Sequence, residues 1–370
     1  MMRECKSVGP NLKTYFYYIN EAATRPDVKG VIVLAHGIEG TGAVYDEIGE
    51  YLDSKGYALY AIDELGYGKT GKVGKDNYKN WKSKAFHFAA YNVHALSVLA
   101  KGRHPDAPLY LIGNDFGAML SLYLIREFPE VVDKVVTIGW GMPRLQDYGF
   151  LCTSLLRKLF FYDNAVSKGA HFGKNKSLAI RFETNSKYSW LTSDKEQLDK
   201  LVKGGFLDTP GTVGHYFYYY ANKVRVPLFM RMKKTDRNTP LLMVSGNKDL
   251  LTLRGRKTKE LALYYKTRKF TNVESLILEG RHELLFEANK FDNLNTILEW
   301  LENNVINVVE KQPEDKVAGV EIVGDERVIY SEPVENVVKQ EKEDEAGVEN
   351  FDLLQEADDD LLIDTNKEDE

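Results

Sequence analysis

Cysteine is nearly absent from this chain: its 370 residues include two, Cys5 and Cys152. That excludes a disulfide framework and points to a reducing, cytoplasmic setting. Long apolar runs are missing as well. Those present lie in the body of the chain and fall far short of the roughly 20 residues a membrane-spanning helix needs. The opening residues, MMRECKSVGPNLK, hold no apolar stretch, so no secretory signal is expected. No H-E-x-x-H string and no closely spaced cysteine pair occurs, so no metal site is expected. No phosphate loop of the form G-x-x-x-x-G-K-[ST] occurs either. The string GYGKTGKVGK at Gly66–Lys75 has a different spacing and reads as a surface loop trailing a strand. Neither a cofactor nor a nucleic-acid partner is expected, and there is no internal repeat.

Charge, by contrast, is present and unevenly placed. The formal net charge is −6. Residues 305–370 hold 22 Asp and Glu against 6 Lys and Arg, a net of −16, so residues 1–304 hold 33 against 43, a net of +10. In the tail hydrophobic periodicity is lost and charges cluster as EKEDE, EADDD and NKEDE, a composition that cannot bury a core and predicts disorder. Two islands there, VIYSEPVENVV and FDLLQEADDDLLID, mix apolar and acidic residues and are candidate docking motifs for a protein partner. A basic body is drawn to anionic surfaces, so peripheral contact with an anionic membrane is one expectation. The other is a solvated surface with a solubilising tail.

From residue 1 to about 303, strand-like and helix-like segments alternate. The pattern predicts strands at Lys13–Ile19, Gly30–Ala35, Ala58–Ile62, Leu109–Gly113, Lys134–Ile138, Leu241–Ser245 and Val273–Leu278. Several are continuous apolar runs, such as VIVLA and LLMVS, suited to a sheet covered on both faces. Helices are predicted at about Ala43–Lys55, Asn80–Lys101, Phe116–Glu127, Arg254–Tyr265 and Asn289–Asn303. Such alternation gives an α/β architecture with a mostly parallel, doubly wound sheet and helices on both faces. The first strand reads as antiparallel. The 90 residues from Met142 to Arg231 interrupt the rhythm with helix-like pieces and many aromatics, including Phe160, Phe161, Tyr162, Tyr188, Trp190 and the run HYFYYY. An insertion of that length between two strands reads as a helical lid. Most of its rings are expected to hold the lid on the body; together they form an apolar surface suited to an acyl chain. The resulting division is 1–141 and 236–304 for the two parts of the core, 142–235 for the lid, and 305–370 for the acidic tail.

Three short strings fall at the ends of predicted strands, where open parallel sheets place their sites. VIVLA runs into His36-Gly37-Ile38-Glu39-Gly40, a glycine-bearing loop that can turn an amide toward a ligand. LYLIG runs into Gly113-Asn114-Asp115-Phe116-Gly117, the spacing of a nucleophile elbow with Asp at its centre. The elbow would expose Asp115, and the Ile38 and Phe116 amides would form an oxyanion hole. A carboxylate is also favoured at a helix N-terminus, so Asp115 could instead be a simple cap. LLMVS is followed by Gly246-Asn247-Lys248-Asp249, and SLILEG by Arg281-His282-Glu283. A loop Asp followed by a loop His completes the order nucleophile, acid, base. Asp115, Asp249 and His282 are the candidate catalytic residues. His87, His94, His104, His171 and His215 lack such framing; His215, among the lid aromatics, is a candidate substrate contact.

With these strings in place, the chain resembles the monoacylglycerol lipase, lysophospholipase and serine aminopeptidase S33 branch of the α/β-hydrolases over about residues 10–303. The resemblance rests on HGIEG, on Asp63-Glu64-Leu65-Gly66-Tyr67-Gly68-Lys69-Thr70 (like the branch's D-x-x-G-x-G-x-S/T strap), on the elbow, on the GNKD and RHE loops, and on the lid string YSWLTSDKE. It implies an α/β-hydrolase fold with an inserted lid, and a small-molecule substrate with an acyl chain. The branch normally reads G-H-S-x-G at the elbow, and here His and Ser are replaced by Asn114 and Asp115. An aspartate elbow is what epoxide hydrolases and haloalkane dehalogenases use: the carboxylate attacks an sp³ carbon, and a His-activated water hydrolyses the resulting ester. Their first oxyanion loop usually carries a proline, which HGIEG lacks. Three functions follow: a lysophospholipase- or lipase-like ester hydrolase by descent, an Asp-nucleophile hydrolase, or an inactive hydrolase fold that binds lipid or protein.

Overall fold

Strand β3 (Gly30–Ala35, GVIVLA) is buried along its whole length, and its side chains divide between two apolar layers. Val31, Val33 and Ala35 pack with α3 (Ala85–Arg103) and α4 (Phe116–Glu127), in an apolar layer that α8 (Arg256–Thr267) continues over β7 and β8. Ile32 and Leu34 pack with α1 (Asp46–Ser54) and α9 (Lys290–Asn303) on the opposite face. A strand covered on both faces cannot alternate apolar with polar, so the continuous run is the physical signature of this position. Each fully buried Val, Leu or Ile contributes roughly 1.5–3 kcal/mol.

The computed structural model describes residues 2–9, 13–38, 40–72, 79–169, 178–179, 181–182, 186–203, 207, 209–228 and 236–303, with Lys72 and Leu228 described by their backbones alone. The acidic tail, His171 and Glu39 lie outside the described residues. The eight strands β1 (Arg3–Val8), β2 (Thr14–Ile19), β3, β4 (Tyr57–Ile62), β5 (Leu109–Asn114), β6 (Lys134–Ile138), β7 (Leu241–Gly246) and β8 (Val273–Leu278) form one sheet in the order β1-β2-β4-β3-β5-β6-β7-β8. β2 is antiparallel to both neighbours, whereas β3 to β8 are mutually parallel. The chain goes from β3 to β4 on one side and then to β5 on the other. That reversal opens a crevice at the carboxyl ends of β3 and β5, the place where ligands bind in open α/β sheets.

The expected strands are all present, with boundaries shifted by a residue at most; β1, charged and half-exposed, carried no apolar signal. Helix α3 begins at Ala85, not at Asn80, because Trp81 turns inward and its indole N–H donates to Leu65 O at 3.0 Å. The glycine string is not a plain surface loop. Gly68–Lys72 forms the short helix α2, closed by Asp63, whose carboxylate accepts the Gly42 and Lys69 amides at 2.8 and 2.7 Å. Burial is the largest influence on Asp63 and raises it to about 6, against those hydrogen bonds. The insertion holds α5 (Leu145–Phe160), α6 (Lys195–Lys203) and α7 (Val213–Leu228). Its rings divide: Tyr188, Trp190, Tyr216, Tyr219 and Tyr220 are buried, whereas Phe160, Phe161 and Tyr162 face solvent and do not hold the insertion down. Among the described residues no helix is long and apolar enough to cross a membrane, and no three His, Cys, Asp or Glu side chains gather as a metal site would need.

The turn from β5 into α4 is tight enough to be tested directly. A Cβ on Gly117 would lie 2.0 Å from Ala35 O, a backbone atom that cannot swing away. Gly117→Ala is expected to cost at least about 2 kcal/mol of overpacking, measured as a shift in the urea unfolding midpoint. Gly102→Ala, in α3 with nothing near its Cβ, should be neutral or slightly stabilising. Equal midpoints for the two variants would contradict the packing of α4 against β3.

Candidate active site

Asp115 leaves β5 with φ +43° and ψ −102°, a conformation that costs an L-residue about 1–3 kcal/mol. The neighbours hold it there. Its amide donates to Ile138 O at 2.9 Å, and the Gly117 amide donates to His36 O at 3.0 Å. Despite sitting before α4, the Asp115 side chain makes no capping bond. It turns away from the helix: Oδ2 accepts the Ile38 amide at 3.3 Å, and Oδ1 accepts the Tyr219 hydroxyl at 3.1 Å. The cap alternative is thus not what the side chain does. Phe116 opens α4, so its amide belongs to the unpaired first turn of that helix. Its ring lies 4.9 Å from that of Trp81.

His282 and Asp249 converge on the same point from the β8 and β7 loops. Asp249 Oδ2 pairs with His282 Nδ1 at 3.1 Å, while its Oδ1 accepts the Leu251 amide at 2.8 Å. The acceptor at Nδ1 assigns the proton there and turns Nε2 toward the elbow, 4.0 Å from Asp115 Oδ2. That distance is too long for a hydrogen bond, and Nε2 is buried without a partner. Relative exposures of 2%, 0% and 1% for Asp115, Asp249 and His282 put the whole constellation out of water. Burial is the largest influence on the imidazole and disfavours its charge. Asp249, followed by Asp115, outweighs it and raises His282 to about 10.

Two further parts hold the site in shape. His36 Nδ1 lies 2.7 Å from Gly37 O and Nε2 lies 3.1 Å from the Glu64 amide, an arrangement that assigns a neutral ring with its proton on Nδ1. Burial lowers His36 to about 4, so the ring stays an uncharged strut between the loop after β3 and the segment that begins at Asp63. The string YSWLTSDKE braces the His282 loop. The Trp190 ring is 5.2 Å from the His282 ring, Leu191 O accepts the Glu283 amide at 2.8 Å, and Arg281 donates to Ser189 O and Thr192 O. Asp194 then caps α6, accepting the Glu196 and Gln197 amides at 2.9 and 3.1 Å.

All five expected site residues, Ile38, Asp115, Phe116, Asp249 and His282, therefore lie in one buried cluster. His215 does not join them; its Nε2 is 2.6 Å from the Tyr67 hydroxyl, among aromatic rings. Tyr219 and Glu283 carry no signal of a role in the sequence, and Asn114 stands out there only as the replacement of the branch's elbow histidine. Tyr219 lies four residues after His215 on α7, and five aromatics in six residues give no clue to which one faces the carboxylate. Glu283 was visible only as a neighbour of His282.

The sequence profile of the family described as "Serine aminopeptidase, S33" matches residues 26–289. The monoglyceride lipase homolog of Monkeypox virus is 23% identical over 295 residues, covering 75% of this chain and 91% of the viral protein. Among solved structures, a carboxyl esterase from Bacillus coagulans superposes with a TM-score of 0.69 at 16% identity, over 82% of this chain and 99% of that one. Epoxide hydrolase A from Mycobacterium thermoresistibile gives 0.54 at 18% identity, over 82% and 99%. At such identities the two structures speak to the fold alone.

Proposed function

Because the chain belongs to the Serine aminopeptidase, S33 family and is an α/β-hydrolase of the monoglyceride-lipase type, we propose that it is a hydrolase with a carboxylate nucleophile, Asp115. Its substrate is a small molecule with an acyl or alkyl chain and an electrophilic sp³ carbon. The observation that carries this reading is the contact between the Ile38 amide and Asp115 Oδ2 at 3.3 Å. In a serine enzyme such an amide would wait for a substrate oxygen. Here it already faces an oxygen of the nucleophile, where charge develops when an ester of Asp115 is hydrolysed.

The steps follow from the groups present. Asp115 attacks carbon, the bond to the leaving group breaks, and an alkyl ester of Asp115 forms. An oxygen leaving group takes a proton from the Tyr219 hydroxyl, which water replaces; a halide leaves as the anion. Esterification removes the Asp115 charge that helped hold the proton on His282, and that proton leaves to solvent. Neutral His282, oriented by Asp249, then takes a proton from water. The hydroxide adds to the ester carbonyl of Asp115, with the oxyanion facing the Ile38 and Phe116 amides. Collapse breaks the bond between the Asp115 carbonyl carbon and the alkyl oxygen; His282 gives its proton to the departing alkoxide, and the carboxylic acid so formed returns its proton to His282, restoring the carboxylate. Attack of the same carboxylate on a carbonyl ester would instead produce a mixed anhydride, a poorer route. Intact-mass measurement with epoxide, haloalkane and p-nitrophenyl ester panels tests the reading. An adduct on Asp115 from the first two supports it; turnover of esters alone, unaffected by Asp115→Asn, defeats it.

We also infer that 142–235 is a lid and that substrate reaches the site from an anionic lipid surface. Among the described residues, nine of the fourteen exposed large hydrophobic side chains fall between Leu145 and Val166, on and just beyond α5, with Leu159 and Phe160 exposed to 71% and 79%. Exposed apolar side chains concentrated in one segment of a body of net charge +10 suit an anionic bilayer. Replacing Leu159 and Phe160 together by Glu should lower partition onto phosphatidylserine-containing vesicles at least about ten-fold, because each loses roughly 1.5–3 kcal/mol of burial. Unchanged co-sedimentation would rule this surface out.

A further inference from the structure

The loop that carries the base holds a second titratable side chain for which the reaction has no use. Glu283 directly follows His282 and is buried. Its two carboxylate oxygens face two different loops. Oε2 accepts a short hydrogen bond from the side-chain amide of Asn114, the residue before the nucleophile. Oε1 lies against the oxyanion loop: a Cβ on Gly37 would sit 3.1 Å from it, 3.3 Å from Asn114 Nδ2 and 3.3 Å from Asp115 Cβ. Only the absence of a side chain at Gly37 lets the three approach. The Glu283 backbone is fixed on the far side by its bond to Leu191 O.

The surroundings of this carboxyl combine both signs. His282 faces it from its own loop, Asp115 from the elbow, Asp249 from the β7 loop and Tyr45 from the turn before α1; the insertion contributes Trp190 and Leu191, which carry no charge. Burial, the largest influence, together with Asp115 and Asp249, favours the neutral acid. His282 and the Asn114 bond favour the anion. The balance raises Glu283 to about 7.

We propose that Glu283 is a positioning residue with a switchable charge: through Asn114 it ties the base loop to the elbow, and by ionising it holds the proton on His282. This rests on the reading of Asp115 and His282 as nucleophile and base. With Asp115 and Asp249 ionised and His282 protonated, the buried site carries one excess negative charge. Ionised Glu283 makes that two and strengthens the hold on the imidazolium. Once Asp115 is esterified, His282 must release its proton to act as a base. Neutral Glu283 eases that release, and ionised Glu283 opposes it. Asn114, where the resemblance expects histidine, supplies a donor without adding a further charge.

The test is the side-chain NMR titration of the His282 imidazole in the full chain, which needs no substrate. Wild type should show an inflection near 7 from Glu283 in addition to the imidazole's own. Glu283→Gln keeps the shape but not the charge; the inflection should vanish and the imidazole pKa should fall by about one unit. Asn114→Ala cuts the brace but leaves the carboxyl. It removes a donor to the anion, so the inflection should persist and move to higher pH. An imidazole titration identical in wild type and Glu283→Gln overturns the proposal, as does an inflection unmoved in Asn114→Ala. The outcome is separable from the proposed reaction: an adduct on Asp115 with no change in titration defeats the role of Glu283 alone, and a changed titration with no adduct defeats the nucleophile alone.

Discussion

Replacing His282 by Gln is expected to leave Asp115 able to react once and unable to turn over. Glutamine preserves much of the ring's bulk but cannot take a proton from water, so the first half-reaction survives and the second stops. Steady-state turnover should fall by about 10²- to 10⁴-fold, the usual worth of a positioned general base. The protein should gain the full mass of an epoxide, or that of a haloalkane less its hydrogen halide, since one alkyl group replaces the carboxyl hydrogen. Fragmentation should place the adduct on the peptide containing Asp115. Two observations make this the sharpest test available. Asp115 is strained at φ +43° and its oxygen already meets the Ile38 amide, and His282 Nε2 lies 4.0 Å away with no partner. An adduct that also forms in Asp115→Asn, or none across both panels, would reject the carboxylate as nucleophile. Asp115→Ser offers the complementary result: with the branch's own residue restored, p-nitrophenyl ester turnover should rise.

Asp249→Asn should be nearly as damaging, for a different reason. Asp249 Oδ2 accepts from His282 Nδ1 at 3.1 Å, and Oδ1 accepts the Leu251 amide at 2.8 Å. Asparagine can keep the bond to Leu251 through its carbonyl, but then its amide faces the ring and favours the opposite tautomer. Loss of the correctly presented Nε2 should lower turnover by about 10⁴-fold, the magnitude known for the equivalent change in a serine-protease triad. The pH dependence follows with a definite sign. Asp249 is the strongest influence holding His282 up to about 10 against burial. A group raised in the folded state contributes stability that is complete below its unfolded value of about 6.5 and is lost as pH rises through about 10. In Asp249→Asn most of that contribution disappears, so unfolding midpoints of wild type and variant should differ clearly at pH 6 and converge by pH 10. A constant gap across that range would mean that His282 does not carry the charge assigned to it.

The parts of the fold legible in the sequence are those where a local rule and the tertiary environment agree. GVIVLA and LLMVSG read as buried strands because both of their faces are covered, and the parallel order followed from the helices between them. Strand β1 was illegible since its residues are charged and half-exposed, and it is recognised only by pairing with β2. The start of α3 was misplaced for a comparable reason: helical periodicity in 80–84 is overridden by one indole that gains more from burial. In the insertion, composition showed many aromatics but not their faces. Phe160 and Tyr162 look outward while Tyr219 looks at Asp115, a difference that depends on what α7 packs against.

By itself the sequence determined the family, the doubly wound sheet and the candidates Asp115, Asp249 and His282, because strand-end loops and the spacing of small residues around the elbow are local properties of the chain. Only the tertiary structure decided that these side chains meet, that the Asp115 carboxylate faces the Ile38 amide instead of capping its helix, and that Tyr219 and Glu283 join them. Those outcomes depend on contacts between residues tens to more than a hundred positions apart. The free energy of such contacts lies in burial and charge compensation, and neither exists until the sheet has brought its strand ends together.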